Sequence, residues 1–351
     1  MIRLLHLSTA IALASVILLQ SRPDEPKLPG DPANPYRWAD LAESGLEAGG
    51  IEHAEALIQY AVSLAPRVPP ILMRATNLFF RTGNSDQVLH YSLRTLDLVP
   101  DYDHILFRYL DYFSLFPIDR LNGRALASCL KYQITQSNTP RVMEVWDLLK
   151  QKKLQTKDMA ADVASHLASR ASYRPAASAW REFNCAQSPG DCSGDPFNPG
   201  FESPPSAVPF DWTVPPPASI SGSSPRSGRR SLYISFDGTS NLDWAGPQQN
   251  IVVDLPGKYQ VSWYMKTAAL TTNEGIRLRV FDAHLPARLD RSTEPVTGST
   301  QWTHYSLRFT VNHGTQAVVL QFRRNSSAKL DNRIKGEAWI DDVRIEPVPP
   351  D

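Results

Sequence analysis

Asn198-Pro199-Gly200-Phe201-Glu202 and Trp339-Ile340-Asp341-Asp342-Val343-Arg344-Ile345 bracket the stretch on which the reading of this chain turns. Between them lie short runs of strand-forming residues separated by turns, at 231–236, 259–265, 276–281, 303–311 and 317–322. The second, third and fifth runs alternate apolar and polar residues. A half-buried strand must do so, because successive side chains point to opposite faces. Several such runs in about 150 residues predict an antiparallel sandwich.

The order of motifs adds a resemblance. Asn198-Pro199-Gly200-Phe201-Glu202 comes first, then Ser227-Gly228 ahead of Ser231-Leu232. Tyr259-Gln260-Val261-Ser262-Trp263-Tyr264-Met265-Lys266, Gln301-Trp302-Thr303 and the closing Ile340-Asp341-Asp342-Val343 follow. In that order they resemble the jelly-roll carbohydrate-binding modules (CenC type) of the galactose-binding-like superfamily, over residues 198–347. The resemblance implies a sugar ligand in most members and protein contact alone in some. It also implies a structural calcium ion tying the first strand to the last. Glu202 and Asp341 would be its ligands, with Asp342 as the alternative acid and backbone oxygens near Gly228 and Arg230 completing the shell. The competing reading makes these acids strand ends satisfied by turn amides.

Sugar recognition needs an aromatic platform and a few hydrogen-bonding side chains. Trp212, Trp302 and Trp339 match family positions that are usually core. Trp244 lies in the loop-like stretch 238–246 with no periodic reason to be buried, which makes it the platform candidate. Strand alternation puts Arg277 and Arg279 on one face of their run, Gln321 and Arg323 on one face of theirs, and Tyr264 with Lys266 on a third. If these faces share one sheet, the six line a cationic groove suited to an acidic polysaccharide. Otherwise they are the solvated outer face of an antiparallel sheet.

Upstream, a 34-residue period appears. Trp38, Leu41, Ala42, Ala54, Ile58, Ala61 and Pro66 recur as Leu72, Ala75, Thr76, Val88, Ser92, Thr95 and Pro100, with Gly83 between helices. This resembles tetratricopeptide repeats over 35–100. A third unit starts at Asp103 and drifts after Pro117, with its second helix at about 121–134. A further helix is expected over 141–150, then a pair carrying Val163, Ala164, Leu167, Ala176, Trp180 and Phe183, with Tyr173-Arg174-Pro175 at the turn. Such solenoids bind protein partners along a concave face, which here would be lined by Arg37, Met73, Asn77, Phe80 and Arg81. Alternatively, Met73 and Phe80 pack against the next repeat.

The expected architecture is therefore multidomain α plus all-β, an N-terminal α-helical solenoid followed by an antiparallel β-sandwich jelly roll. Its parts are 1–22, 23–34 (linker), 35–184 (solenoid), 185–197 (linker) and 198–347 (jelly roll). Residues 1–22 carry an apolar run from Leu4 to Leu19 after Met1-Ile2-Arg3, and form either an uncleaved signal anchor or a cleaved signal peptide; both place the remainder outside the cytoplasm. Cys185 and Cys192 flank Pro189-Gly190, a turn that can pair them in an oxidising compartment. Cys129 reads as a small buried hydrophobe.

With 36 basic and 36 acidic residues, no net field draws the chain to nucleic acid. Scattered histidines, no nucleophile elbow, no phosphate loop and no spaced acid pair leave no catalytic constellation. The function expected is a non-catalytic cell-envelope adaptor. Its solenoid would hold a protein partner and its jelly roll a polysaccharide, as in exopolysaccharide or cell-wall assembly. The alternatives are a protein-interaction scaffold with a structural jelly roll, and a glycan-acting enzyme or its accessory subunit.

Overall fold

The computed structural model describes residues 31–187, 192, 196–206, 208–253 and 256–349. The expected signal segment 1–22, most of the linker 23–34 and part of the connector 185–197 lie outside them. Among the described residues no helix is long and apolar enough to cross a membrane. Two compact units divide the chain between Tyr132 and Gln133, so the last three helices cluster with the sandwich.

The first unit holds α1 (Pro35–Glu47), α2 (Ile51–Leu64), α3 (Pro69–Thr82), α4 (Ser85–Leu96), α5 (Asp103–Tyr112) and most of α6 (Gly123–Thr135). The starts of α3, α4 and α5 fall 34 residues after those of α1, α2 and α3. Local chemistry sets the ends. Asn34 and Asn84 accept the amides of Tyr36 and Gln87, prolines occupy the first turns of α1 and α3, and left-handed Gly83 closes α3. Ala42, Ala54, Ile58, Leu72, Ala75 and Val88 are fully buried in one core. Small residues at Ala42 and Ala54 let neighbouring helices approach, and α1 touches both α2 and α3. Arg74 fastens α3 to α1 through Asp40 and Glu43, each at 2.7 Å. Cys129 is buried in α6.

The second unit begins with α7 (Thr139–Gln151), α8 (Lys157–Ala168) and α9 (Tyr173–Gln187). Tyr173-Arg174-Pro175 is the first turn of α9 rather than the turn before it. Proline fits there because that turn has no intrahelical amide bond to lose. Cys185 and Cys192 are joined by a disulfide, with Cα atoms 5.6 Å apart.

Among the described residues nine strands follow: β1 (Ala218–Ser221), β2 (Ser231–Asp237), β3 (Trp244–Val252), β4 (Gly257–Leu270), β5 (Arg277–Asp282), β6 (Asp290–Ser292), β7 (Gly298–Val311), β8 (Ala317–Arg324) and β9 (Lys335–Pro347). They make two antiparallel sheets, β1-β2-β9-β4-β7 and β3-β8-β5-β6. The facing sides interleave Phe201, Trp212, Trp263, Leu320, Phe322 and Ile340 into one core, as a sandwich requires. β6 and β7 are the open edges of the two sheets on one flank. Helix α9 packs on β3, and Trp180 meets the ring of Phe197 edge-on at 6.1 Å.

Candidate functional site

The expected six-residue groove does not form, because its members lie on different sheets. Arg277 and Arg279 are on β5 and Gln321 and Arg323 on β8, neighbours in the four-stranded sheet; Tyr264 and Lys266 are on β4 of the other. The sequence shows alternation within each strand but not which strands pair.

Trp244 is corrected as well. It is the first residue of β3 and only 5% exposed; its indole donates to Pro216 O at 2.9 Å and sits edge-on against Phe236. It is a core residue and offers no platform. The misreading came from Gly238 and Gly246, which looked like loop glycines. Gly246 in fact sits inside β3, where a Cβ would lie 2.5 Å from both Phe322 O and the Trp244 ring.

Register brings the four-stranded sheet's polar residues together on its outer side. Arg277 stands opposite Arg323, Arg279 opposite Gln321, and Gln248 on β3 opposite Gln321. Like charges directly across a strand pair repel. Each guanidinium is answered by an acid: Arg277 by Glu274, Arg279 by Asp290 (2.9 and 2.7 Å), Arg323 by Asp243 (2.9 Å). The Arg279 fork holds the Asp290 carboxyl below its ordinary range. Arg279 also lies over the Phe281 ring at 4.4 Å. Gln321 donates to Gln248 at 2.6 Å. Three atoms of this cluster, Arg277 Nε, Arg323 Nε and Gln321 Oε1, are buried without a hydrogen-bonding partner. Buried polar atoms are normally paired, so these three stand out as unmet beneath the face. Gln248, which reasoning from the sequence missed, enters through β3, a strand that reasoning did not find.

Tyr264 and Lys266 occupy the outer side of the five-stranded sheet, beneath the loop between β1 and β2. Arg226 stacks on Tyr264 at 3.4 Å, and Lys266 donates to Ser224 and lies 5.0 Å from the Trp339 ring. Trp339 donates to Ser223 and packs on Tyr233.

The same loop reaches the expected calcium acids. Asp341 is fully buried and accepts the amides of Arg226, Ser227 and Asp342; Glu202 accepts those of Arg229 and Arg230. Burial pushes the Asp341 carboxyl up to about 6 against the pull of those amides. Asp342 pairs instead with Arg226 and Ser227. The acids are thus brought together by one loop, yet amide donors face them where a cation would need oxygens. Among the described residues no group of three or more acidic, His or Cys side chains gathers as a metal site.

In the first unit Arg37 and Arg81 are exposed, and Asn77 is half-buried and accepts from Tyr109 at 2.9 Å. Phe80 stacks on Tyr109 at 4.0 Å and also meets Tyr112 and Phe113 of the next helical unit, while Met73 is buried.

A family model described as a carbohydrate binding domain matches residues 197–328. That stretch covers most of the two-sheet sandwich, so the C-terminal part of the chain is similar to carbohydrate-binding jelly rolls. No curated protein matches the chain. Among solved structures it is similar to TmCBM61 in complex with β-1,4-galactotriose, at 18% identity over 43% of this chain and 96% of that one (TM-score 0.31). It is also similar to the CBM22-1 xylan-binding domain from Paenibacillus barcinonensis Xyn10C, at 15% identity over 43% and 93% (TM-score 0.30). A CBM4 structure is 17% identical over 43% and 98% (TM-score 0.32). Gln248, Arg277, Arg279, Gln321 and Arg323 all fall inside the matched stretch.

Proposed function

We propose that the protein is a non-catalytic cell-envelope adaptor. Its jelly roll binds a polysaccharide on the outer face of the four-stranded sheet, and its 34-residue helical repeats hold a protein partner. One observation carries the sugar reading: Gln248, Arg277, Arg279, Gln321 and Arg323 share one polar outer face within the stretch matched by the carbohydrate-binding model. Sugar hydroxyls both donate and accept, so they can meet guanidinium N–H and side-chain amide groups on one face together. The repeat period supports the partner, and the apolar segment 1–22 supports export with a membrane anchor or a cleaved signal.

The test is a glycan array with the full chain, then affinity electrophoresis of the hits. Gln321→Ala with Arg323→Ala should weaken retention by about tenfold or more, since hydrogen bonds to charged groups contribute about 1.5–3 kcal/mol. Retention unchanged in that variant rejects the sheet face.

A structural calcium between Glu202 and Asp341 belongs to the same reading, and it requires the amides that now donate to both acids to give way to oxygens. Excess calcium should then raise the melting temperature above that in chelator, and equal temperatures reject it. A second reading, a protein-interaction scaffold whose jelly roll is structural, is favoured by the packing of α9 on β3. A silent glycan array alongside a captured protein partner would select it.

A further inference from the structure

The sheet face cannot supply the acid preference that its arginines suggest, because Glu274, Asp290 and Asp243 already neutralise them. Positive charge that the sheet-face acids do not answer lies around the edge of the sandwich. Between β6 and β7 the flank opens into a cavity of about 550 Å³, lined by Arg288, Arg291 and Arg308. Its one lining carboxylate, Asp290, has both oxygens held by Arg279 on the sheet face. Arg288 reaches the buried Asp282 at 3.9 Å and Arg291 acts on Asp290 alongside Arg279, so the three guanidinium groups are answered only in part and the cavity stays net positive.

Two of the three are fixed in place. Arg308 donates through Nε to Gln260 at 2.9 Å, and Arg288 through Nη1 to Gly314 O at 2.9 Å. Anchored forks lose less freedom on meeting an anion than free ones. Leu289 and Phe309, both buried to within 6% exposure, give the cavity apolar material beside the cations. An apolar floor under convergent cations suits a sugar ring that carries an anionic substituent.

We propose that this flank cavity is a subsite for the carboxylate or sulfate group of an acidic glycan whose neutral portion lies on the four-stranded sheet. Asp290 joins the two: it pairs with Arg279 of the sheet face and lines the cavity from β6, so a chain crossing β6 passes from one to the other. The proposal rests on the carbohydrate reading above and adds the class of sugar to it.

Two measurements on the full chain separate the proposal from that reading. In the first, inorganic sulfate is titrated at constant ionic strength while arginine Nε–H signals are followed by NMR. Saturable shifts of Arg288, Arg291 and Arg308, lost in Arg291→Gln with Arg308→Gln, are expected. Shifts that do not saturate, or that survive the substitutions, overturn the subsite whatever the sheet face does. The second compares polygalacturonate with its fully methyl-esterified form, and a sulfated with a desulfated galactan, by affinity electrophoresis. At least one acidic form should be retained about tenfold better than its neutral partner. The cavity variant should abolish that preference without weakening the neutral form. Equal retention of both members in both pairs, or a preference untouched by the variant, overturns the subsite while leaving the sheet face standing. No retention of any of the four removes the subsite, and a silent glycan array removes the carbohydrate reading with it.

Discussion

Asp341 shows how a single residue sets a pH response. Burial raises its folded-state pKa from 3.8 to about 6, so the folded protein holds a proton that the unfolded chain releases between those values. The contribution is fully present below about pH 4 and is lost as pH rises through about 6. Two pKa units correspond to on the order of 3 kcal/mol. Denaturant unfolding in chelator should therefore show stability falling across this window. The fall should be shallower in Asp341→Asn, whose side chain does not titrate, with Asp211, also raised by burial, left to contribute; an identical slope in the two proteins would refute the assignment. At the same scale Arg324 was invisible in the sequence. It is fully buried, and its fork reaches Glu274 O, Asn241 Oδ1, Leu242 O and Asn332 O. Burial lowers its pKa. Strand alternation places it inward like any core residue, but nothing in its own run announces the three loops that supply its acceptors.

Among the elements, legibility followed periodicity. The helices of the 34-residue repeat were readable because burial recurs at fixed offsets, and β2, β4, β5, β7 and β8 because their residues are strand formers in uninterrupted runs. β3 was not: Trp-Ala-Gly-Pro-Gln-Gln-Asn contains glycine, proline and three amide side chains, a composition that strand propensity does not favour. Pairing with β8 and the 209–213 segment overrides that propensity. β6 is three residues long and exposed, too short to carry any pattern. The candidate site was half legible for the same reason. Arg277, Arg279, Gln321 and Arg323 sit on readable strands and do converge. Gln248 sits on the unreadable one. Whether Tyr264 and Lys266 share a sheet with the other four is not legible, because pairing order is a long-range property that no local run encodes.

For the molecule as a whole, the boundary between Tyr132 and Gln133 matters more than the connector at 185–197. Helices α7, α8 and α9 cluster with the sandwich, and the Trp180–Phe197 contact sits where the helical part passes into strands. Phe197 is further held by Gln249, which donates to its carbonyl and accepts its amide. A fragment starting at Thr139 should therefore unfold at higher denaturant than one starting at Pro196. Removing a buried Trp side chain from a packed contact costs about 3–5 kcal/mol, which sets the scale of the difference. Equal midpoints for the two fragments would show that the helices contribute nothing to the sandwich.

The outer margin of β7 has its own consequence. This strand is 14 residues long and ends its sheet, so a row of backbone amides and carbonyls is left without a neighbouring strand. Such a margin invites a second chain to zip on. Here the lip is guarded by Arg308 and, across the flank, by Arg288 and Arg291. A copy of the same chain would bring the same cations to the same place, and the two would repel. The charge that suits this flank to an acidic sugar also discourages the protein from stacking on itself into fibrils.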